Sequence, residues 1–214
     1  MPADQAAGLR RRRARLSPRC LHVFFDSANS TEKLVQALHR RGLRTLLIDV
    51  RGRVYADAPA RSLFDWRQQL ARRQLQTLPM SYGEGWHAPG VRADEPLLAG
   101  IAQGYDILVF DEGTGEVGAR MPGAARTAII EVAAAHESLQ RAYALLKTLF
   151  HLEETPDVVL LGESAACDRV RAACAQFLDG PFAQAILGAG HEDDAFAALA
   201  VRMADEETSP SARY

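Results

Sequence analysis

The chain has no glycine between Leu21 and Arg41, the interval in which its first apolar run gives way to its first helical pattern. A loop that closes on phosphate relies on glycines at such a junction, because a bare backbone lets successive N–H groups converge on the anion. A standard phosphate-binding loop is therefore excluded. No apolar run approaches the roughly 20 residues that a membrane-spanning helix needs. The Arg-rich start is not followed by the apolar stretch and small-residue cleavage site of a secretion signal. The six histidines show neither HxxxH nor HExxH spacing, so no metal site is expected. Only three cysteines are present, which argues against a disulfide framework. Cys20 opens an apolar run, while Cys167 and Cys174 lie seven apart on one helical face, and all three read as buried, unpaired thiols. A net charge of -2 gives no global attraction to nucleic acid or to an anionic membrane. These features lead us to expect a cytoplasmic protein that binds no nucleic acid.

What is present is the composition of a globular domain: 214 residues, 48% hydrophobic and 24% charged. The charge is uneven. Arg10, Arg11, Arg12, Arg13, Arg15 and Arg19 crowd one end, and Glu192, Asp193, Asp194, Asp205, Glu206 and Glu207 collect near the other. The expected organisation is a basic N-terminal segment (1–19), an α/β domain (20–206) and a disordered tail (207–214).

Within the domain, LHVFF (21–25), RTLLIDV (44–50), YDILVFD (105–111), TAIIEVA (127–133) and PDVVLLGE (156–163) run apolar without polar alternation. That pattern predicts strands buried on both faces. Helical periods fall at 31–42, 62–73, 94–104, 137–150 and 167–178, the first with Thr31 as N-cap and Gly42 as C-cap. Strands alternating with helices predict a mainly parallel sheet with helices on both faces, whose ligand edge is formed by the carboxyl ends of the strands. The Gly-, Pro- and aromatic-rich segment 79–94 is expected to be a loop at that edge.

Four residues mark what would be a nucleotide site in such a sheet. Asp26 and Ser27 follow the first strand, and Asp49 and Asp111 end two others. Strand-end carboxylates can hold Mg2+ through water, but the ion also needs phosphate oxygens. Without a glycine cradle, Asp26 puts negative charge where phosphate would sit. Asp49 and Asp111 can equally cap the turns that follow them.

The order of TEKLVQALHRRGLRTLLID, YDILVFDEGTG, LQRAYALLKTLF and DVVLLGESAACDRVRAACAQFLDG resembles the MinD/ParA family. It is most similar to its FlhG (FleN) branch of flagellar number and placement regulators. The opening DQAAGLR (4–10) resembles the DQAxxLR motif that precedes the ATPase domain in many FlhG proteins. The resemblance implies an activator helix that docks on the signal-recognition-type GTPase FlhF and stimulates GTP hydrolysis. Gln5 would then take part in the GTPase site, and Asp4, Ala6, Leu9 and Arg10 would set the helix and its docking. A partner that supplies a missing side chain is sound chemistry for orienting water and stabilising phosphate charge.

The departures from the family are as informative. The KGGVGKT-type motif is missing, Arg51 stands where a second acidic residue follows LLIDA, and DTAAG has become DEGTG. The implied protein is a MinD/ParA-like fold without a standard P-loop, a pseudo-ATPase with no cofactor, recruited to the cell pole by its partner. One alternative is a divergent ATPase that binds Mg-ATP around Asp26, Ser27, Ser30, Thr31, Asp49 and Asp111. Another is a scaffold for flagellar switch proteins or a flagellar transcription activator. The segment DDAFAALAVRMADEE is acidic where the family has a membrane-targeting helix, so it is expected to pack on the domain rather than on anionic lipid.

Overall fold

A computed structural model describes residues 18–49, 53–54, 77–79, 104–112, 124–190 and 193–205. The strands are β1 (Arg19–Phe24), β2 (Thr45–Asp49), β3 (Thr77–Pro79), β4 (Ile107–Asp111), β5 (Arg126–Val132), β6 (Asp157–Gly162) and β7 (Leu187–Ala189). Helices described with them are α1 (Ala28–Arg40), α2 (His136–Phe150), α3 (Ser164–Phe177), α4 (Gly180–Ala185) and α5 (Asp193–Asp205). The strands form a seven-stranded sheet in the order β3-β2-β4-β1-β5-β6-β7, with every pairing parallel. The expected α/β architecture, a parallel sheet covered by helices, is the one observed.

Alternation along each strand divides the core between the two faces of the sheet. On one face, Leu21, Val23, Phe25 and Val109 meet Leu34, Ala37 and Leu38 of α1 and Phe196, Leu199, Ala200 and Met203 of α5. On the other, Phe24, Ala128, Ile130 and Leu160 meet Ala142, Leu145, Leu146 and Leu149 of α2 and Ala166, Cys167, Val170 and Cys174 of α3. The acidic helix α5 thus buries its apolar stripe in the domain, as its sequence implied. At Gly162, a Cβ would lie 2.0 Å from the carbonyl oxygen of Val132, so β6 can close on β5 there only without a side chain.

The first helix begins earlier than the sequence pattern predicts. Its N-cap is Ser27, whose Oγ accepts a hydrogen bond from the Asn29 N–H at 3.1 Å, while Thr31 lies one turn inside and is fully buried. Ser27 wins because Asn29, Ser30 and Thr31 all tolerate a first helical turn once a hydroxyl satisfies one of its open N–H groups. Arg41 is the C-cap and Gly42 follows it at φ 75°, a conformation that suits glycine. Strand β7 and helix α4 are too short for the sequence pattern to have marked them, and β3 was likewise unexpected. The helices predicted over 62–73 and 94–104, and nearly all of the 79–94 loop, lie outside the described residues.

All three cysteines are buried and unpaired. Burial pushes the Cys20 thiol up to about 12 and Cys174 to about 11, so both behave as inert apolar groups. Among the described residues no helix is long and apolar enough to cross a membrane.

Candidate functional site

The sheet order puts β1 between β4 and β5; the chain leaves β1 toward the β2 side of the sheet and, after β4, crosses to the β5 side, which creates a crevice at the carboxyl ends of these strands. Asp49, Asp111, Glu131 and the Asp26 turn all sit on that rim, at or just past the ends of β2, β4, β5 and β1.

Asp49 shapes the rim first. Its side chain is fully buried, and its two carboxylate oxygens accept the backbone N–H groups of Arg53 and Val54 at 3.1 and 3.0 Å. This caps the turn after β2 and directs the Arg53 side chain across the rim. The Arg53 guanidinium then grips Asp111 in a two-pronged ion pair, with Nη2 to Oδ1 at 2.6 Å and Nε to Oδ2 at 2.8 Å. Its third arm, Nη1, donates to the Asp26 carbonyl oxygen at 3.0 Å. Asp111 is fully buried, and a planar fork matched to a carboxylate is among the strongest ways to hold such a charge. The hydrogen bonds that Arg53 donates to Asp111 raise the Arg53 pKa further, partial burial opposes this, and the charges of Asp111, Asp49 and Glu131 reinforce it.

The turn between β1 and α1 is closed by a different residue. Glu131 reaches from β5 so that its Oε2 accepts the Asp26 N–H at 2.6 Å and its Oε1 accepts the Ser30 hydroxyl at 3.0 Å. Only 8% of Glu131 is exposed. A carboxylate of the chain itself therefore takes the donors at the start of α1 that a bound anion would need. Beside it, Arg141 of α2 reaches the Asp26 carboxylate at 2.6 Å. On β1 and past β4, His22 Nδ1 and Glu112 Oε1 meet at 2.8 Å in a buried pair, with His22 stacked on Phe110.

Three of the four rim residues expected from the sequence are brought together: Arg53 connects Asp26 and Asp111 directly and Asp49 through its own backbone. Ser27 is not part of this network and acts as a helix cap. Glu131, Arg53 and Arg141 were missed. The one legible signal was Glu131, a lone carboxylate inside the otherwise apolar TAIIEVA. Asp4, Gln5, Ala6, Leu9 and Arg10 lie outside the described residues.

No protein-family model matches the sequence, and no curated protein matches it. Solved structures do. The MinD cell division protein of Aquifex aeolicus has 15% identity and a TM-score of 0.56, over 92% of this chain and 100% of that one. A ParA family ATPase from Chlorobium tepidum has 14% identity and a TM-score of 0.52, over 91% of this chain and 99% of that one. The fold is of the MinD/ParA type.

Set against that fold, the rim does not fit a Mg-nucleotide. Glu131 would oppose a phosphate at the β1–α1 turn, and the bidentate grip of Arg53 occupies the Asp111 oxygens that would face a hydrated Mg2+. Among the described residues no group of three or more His, Cys, Asp or Glu side chains is placed to hold a metal ion.

Proposed function

We propose that this chain is a non-ATPase, FlhG-like regulator of flagellar placement or number that binds the GTPase FlhF and stimulates it through the DQAAGLR segment. The observation that carries this reading is a juxtaposition: an activator-like motif precedes a MinD/ParA-type sheet whose phosphate turn is satisfied by the chain's own Glu131. The motif keeps the residues needed to act on a partner, while the domain uses its rim for internal contacts. Gln5 enters the partner's GTPase site and helps orient the attacking water, with Asp4, Ala6, Leu9 and Arg10 fixing the helix. The domain serves as carrier, and FlhF draws it to the cell pole.

The direct test is GTP turnover by the cognate FlhF with and without the full chain, alongside Gln5→Ala. Stimulation that is lost in the variant supports the reading. An unchanged rate with the wild-type chain rejects it. The rival, a divergent ATPase, draws on the convergence of Asp26, Asp49 and Asp111 on one rim. Calorimetry separates the two, because binding of Mg-ATP below millimolar concentration would require Arg53 and Glu131 to be displaced and would favour the ATPase. If FlhF does not respond, flagellar switch proteins and a flagellar transcription activator become the partners to test by pull-down with a chain lacking residues 1–19.

A further inference from the structure

Phe177 is the one large apolar side chain exposed among the described residues, at 66%. It continues the inward stripe of α3, three positions after Cys174 and seven after Val170, both of which are buried. The topology explains why that stripe runs out of cover. Helices α2 and α3 leave the carboxyl ends of β5 and β6 and run back side by side along one face, so both end at the amino edge of the sheet. There Phe150, Leu152, Leu178 and Phe182 are only partly buried, and the ring centroids of Phe150 and Phe182 lie 5.1 Å apart. The border of this apolar patch is acidic. The loop from α2 to β6 carries Glu153 and Glu154 and no Lys or Arg, and Glu153 is exposed and unpaired among the described residues. Asp179, between α3 and α4, uses one carboxylate oxygen to accept the Phe182 N–H. Lys147, exposed in the last turn of α2, offsets part of this charge.

We infer that this patch is a docking site for the chain's own basic segment, which takes Ala6 and Leu9 onto the aromatic side chains and turns Arg10 and the arginines after it toward the acidic border. In the helix implied for 4–10, Ala6 and Leu9 share a face. Reach supports this occupant. Strand β1 starts beside β5, where the Cys20 N–H donates to the Ala125 carbonyl at 2.9 Å, and the next residue, Arg126, pairs with Glu154 at 3.1 Å. The segment therefore joins the sheet on the edge that bears the patch, about 10 Å, or two strand spacings, from β6. Residues 11–17 can span about 23 Å when extended, enough to lay 4–10 across the ends of α2 and α3. A short tether also presents the segment at about millimolar effective concentration, so a small contact suffices. Charge weighs against two other occupants. An anionic membrane is repelled by the acidic border, and a two-fold contact with a second copy sets that border against itself. Docking covers Ala6 and Leu9, the face that meets FlhF on the reading above, so the two contacts exclude each other. That restraint on the activator segment rests on the GTPase reading, whereas the docking itself does not.

The test is limited trypsin digestion of the full chain, with cleavage after Arg13 and Arg15 followed by mass spectrometry. Docking protects these bonds, so Phe177→Asp, a change at an exposed position, speeds their cleavage by at least about five-fold over wild type. Leu9→Ser, outside the folded domain, gives the same rise. The double variant adds nothing further, as two sides of one contact require. Thermal melts restrict the comparison to folded protein. Equal cleavage of the wild type and both single variants overturns the proposal, and so do additive effects in the double variant. Wild-type cleavage that speeds up on dilution also overturns it, because a second copy then supplies the contact. The GTPase reading fails separately: faster cleavage of Phe177→Asp, with FlhF turnover unchanged by the chain, upholds the docking and removes only FlhF as the partner that competes with it.

Discussion

Two arginines close the rim of the sheet at the same distance, and they differ in everything else. Arg53 meets Asp111 at 2.6 Å, with side-chain exposures of 19% and 0%. Arg141 meets Asp26 at 2.6 Å as well, with exposures of 31% and 45%. In the first pair the carboxylate has no access to water, so its charge depends on the guanidinium that grips it. In the second, both groups keep much of their hydration and water screens their attraction. Distance alone therefore says little about what an ion pair contributes. Burial decides, and it divides the rim into a structural half around β2 and β4 and a looser half around β1 and α2.

The sharpest way to break that contrast is Arg53→Ala. Removing one partner of a buried pair leaves the other charge uncompensated, which commonly costs 3–5 kcal/mol. Arg53 is partly exposed and water can follow it in, so a loss of about 3 kcal/mol is expected, read as a lower urea midpoint. The double variant Arg53→Met/Asp111→Leu should recover most of the loss, because it leaves no charge stranded. A single-variant cost under about 1 kcal/mol would show that the β2–β4 half is no more structural than the other.

Glu131→Ala should have an intermediate effect. It strips the Asp26 N–H and the Ser30 hydroxyl of their acceptor, and unsatisfied groups of this kind cost about 1–3 kcal/mol. The turn at β1 lies near the surface, which places the expected loss near the lower end, at about 1–2 kcal/mol. The same variant removes the carboxylate that opposes phosphate. Weak binding of inorganic phosphate by Glu131→Ala, and none by the wild type, would support self-occupancy of the turn. A stability change within error would mean that Glu131 is incidental to it.

The contrast also marks the limit of what the sequence could show. Buried parallel strands are legible because both faces are covered, so ILVFD and DVVLLG run apolar with no interruption. Asp49 and Asp111 were legible as rim residues for a topological reason: in a parallel sheet every strand ends on the same edge. The pairings were not legible. Arg53 and Asp111 are 58 positions apart, Asp26 and Glu131 105, and Asp26 and Arg141 115. No local period encodes such contacts. The N-cap was misplaced at Thr31 for a related reason, since Ser27, Ser30 and Thr31 are all competent caps and only the path of the preceding strand selects among them.

The mildest perturbation tests the comparison from its other side. Arg141→Ala removes a pair that is substantially exposed, and such pairs contribute between nothing and about 1 kcal/mol. Neighbouring contacts survive the change: Ser138 Oγ, 3.4 Å from the Arg141 guanidinium, still accepts the Ala133 N–H at 2.9 Å. The expected loss is about 0.5 kcal/mol at 50 mM salt and should vanish near 1 M, where the screening length falls to about 3 Å. The Arg53→Ala loss should persist at that salt concentration, because ions do not reach a buried carboxylate. Denaturation of both variants at the two salt concentrations therefore separates burial from distance. If both losses fade together, the Asp111 site is wetter than its burial implies, and the rim is one exposed charge network rather than two unlike halves.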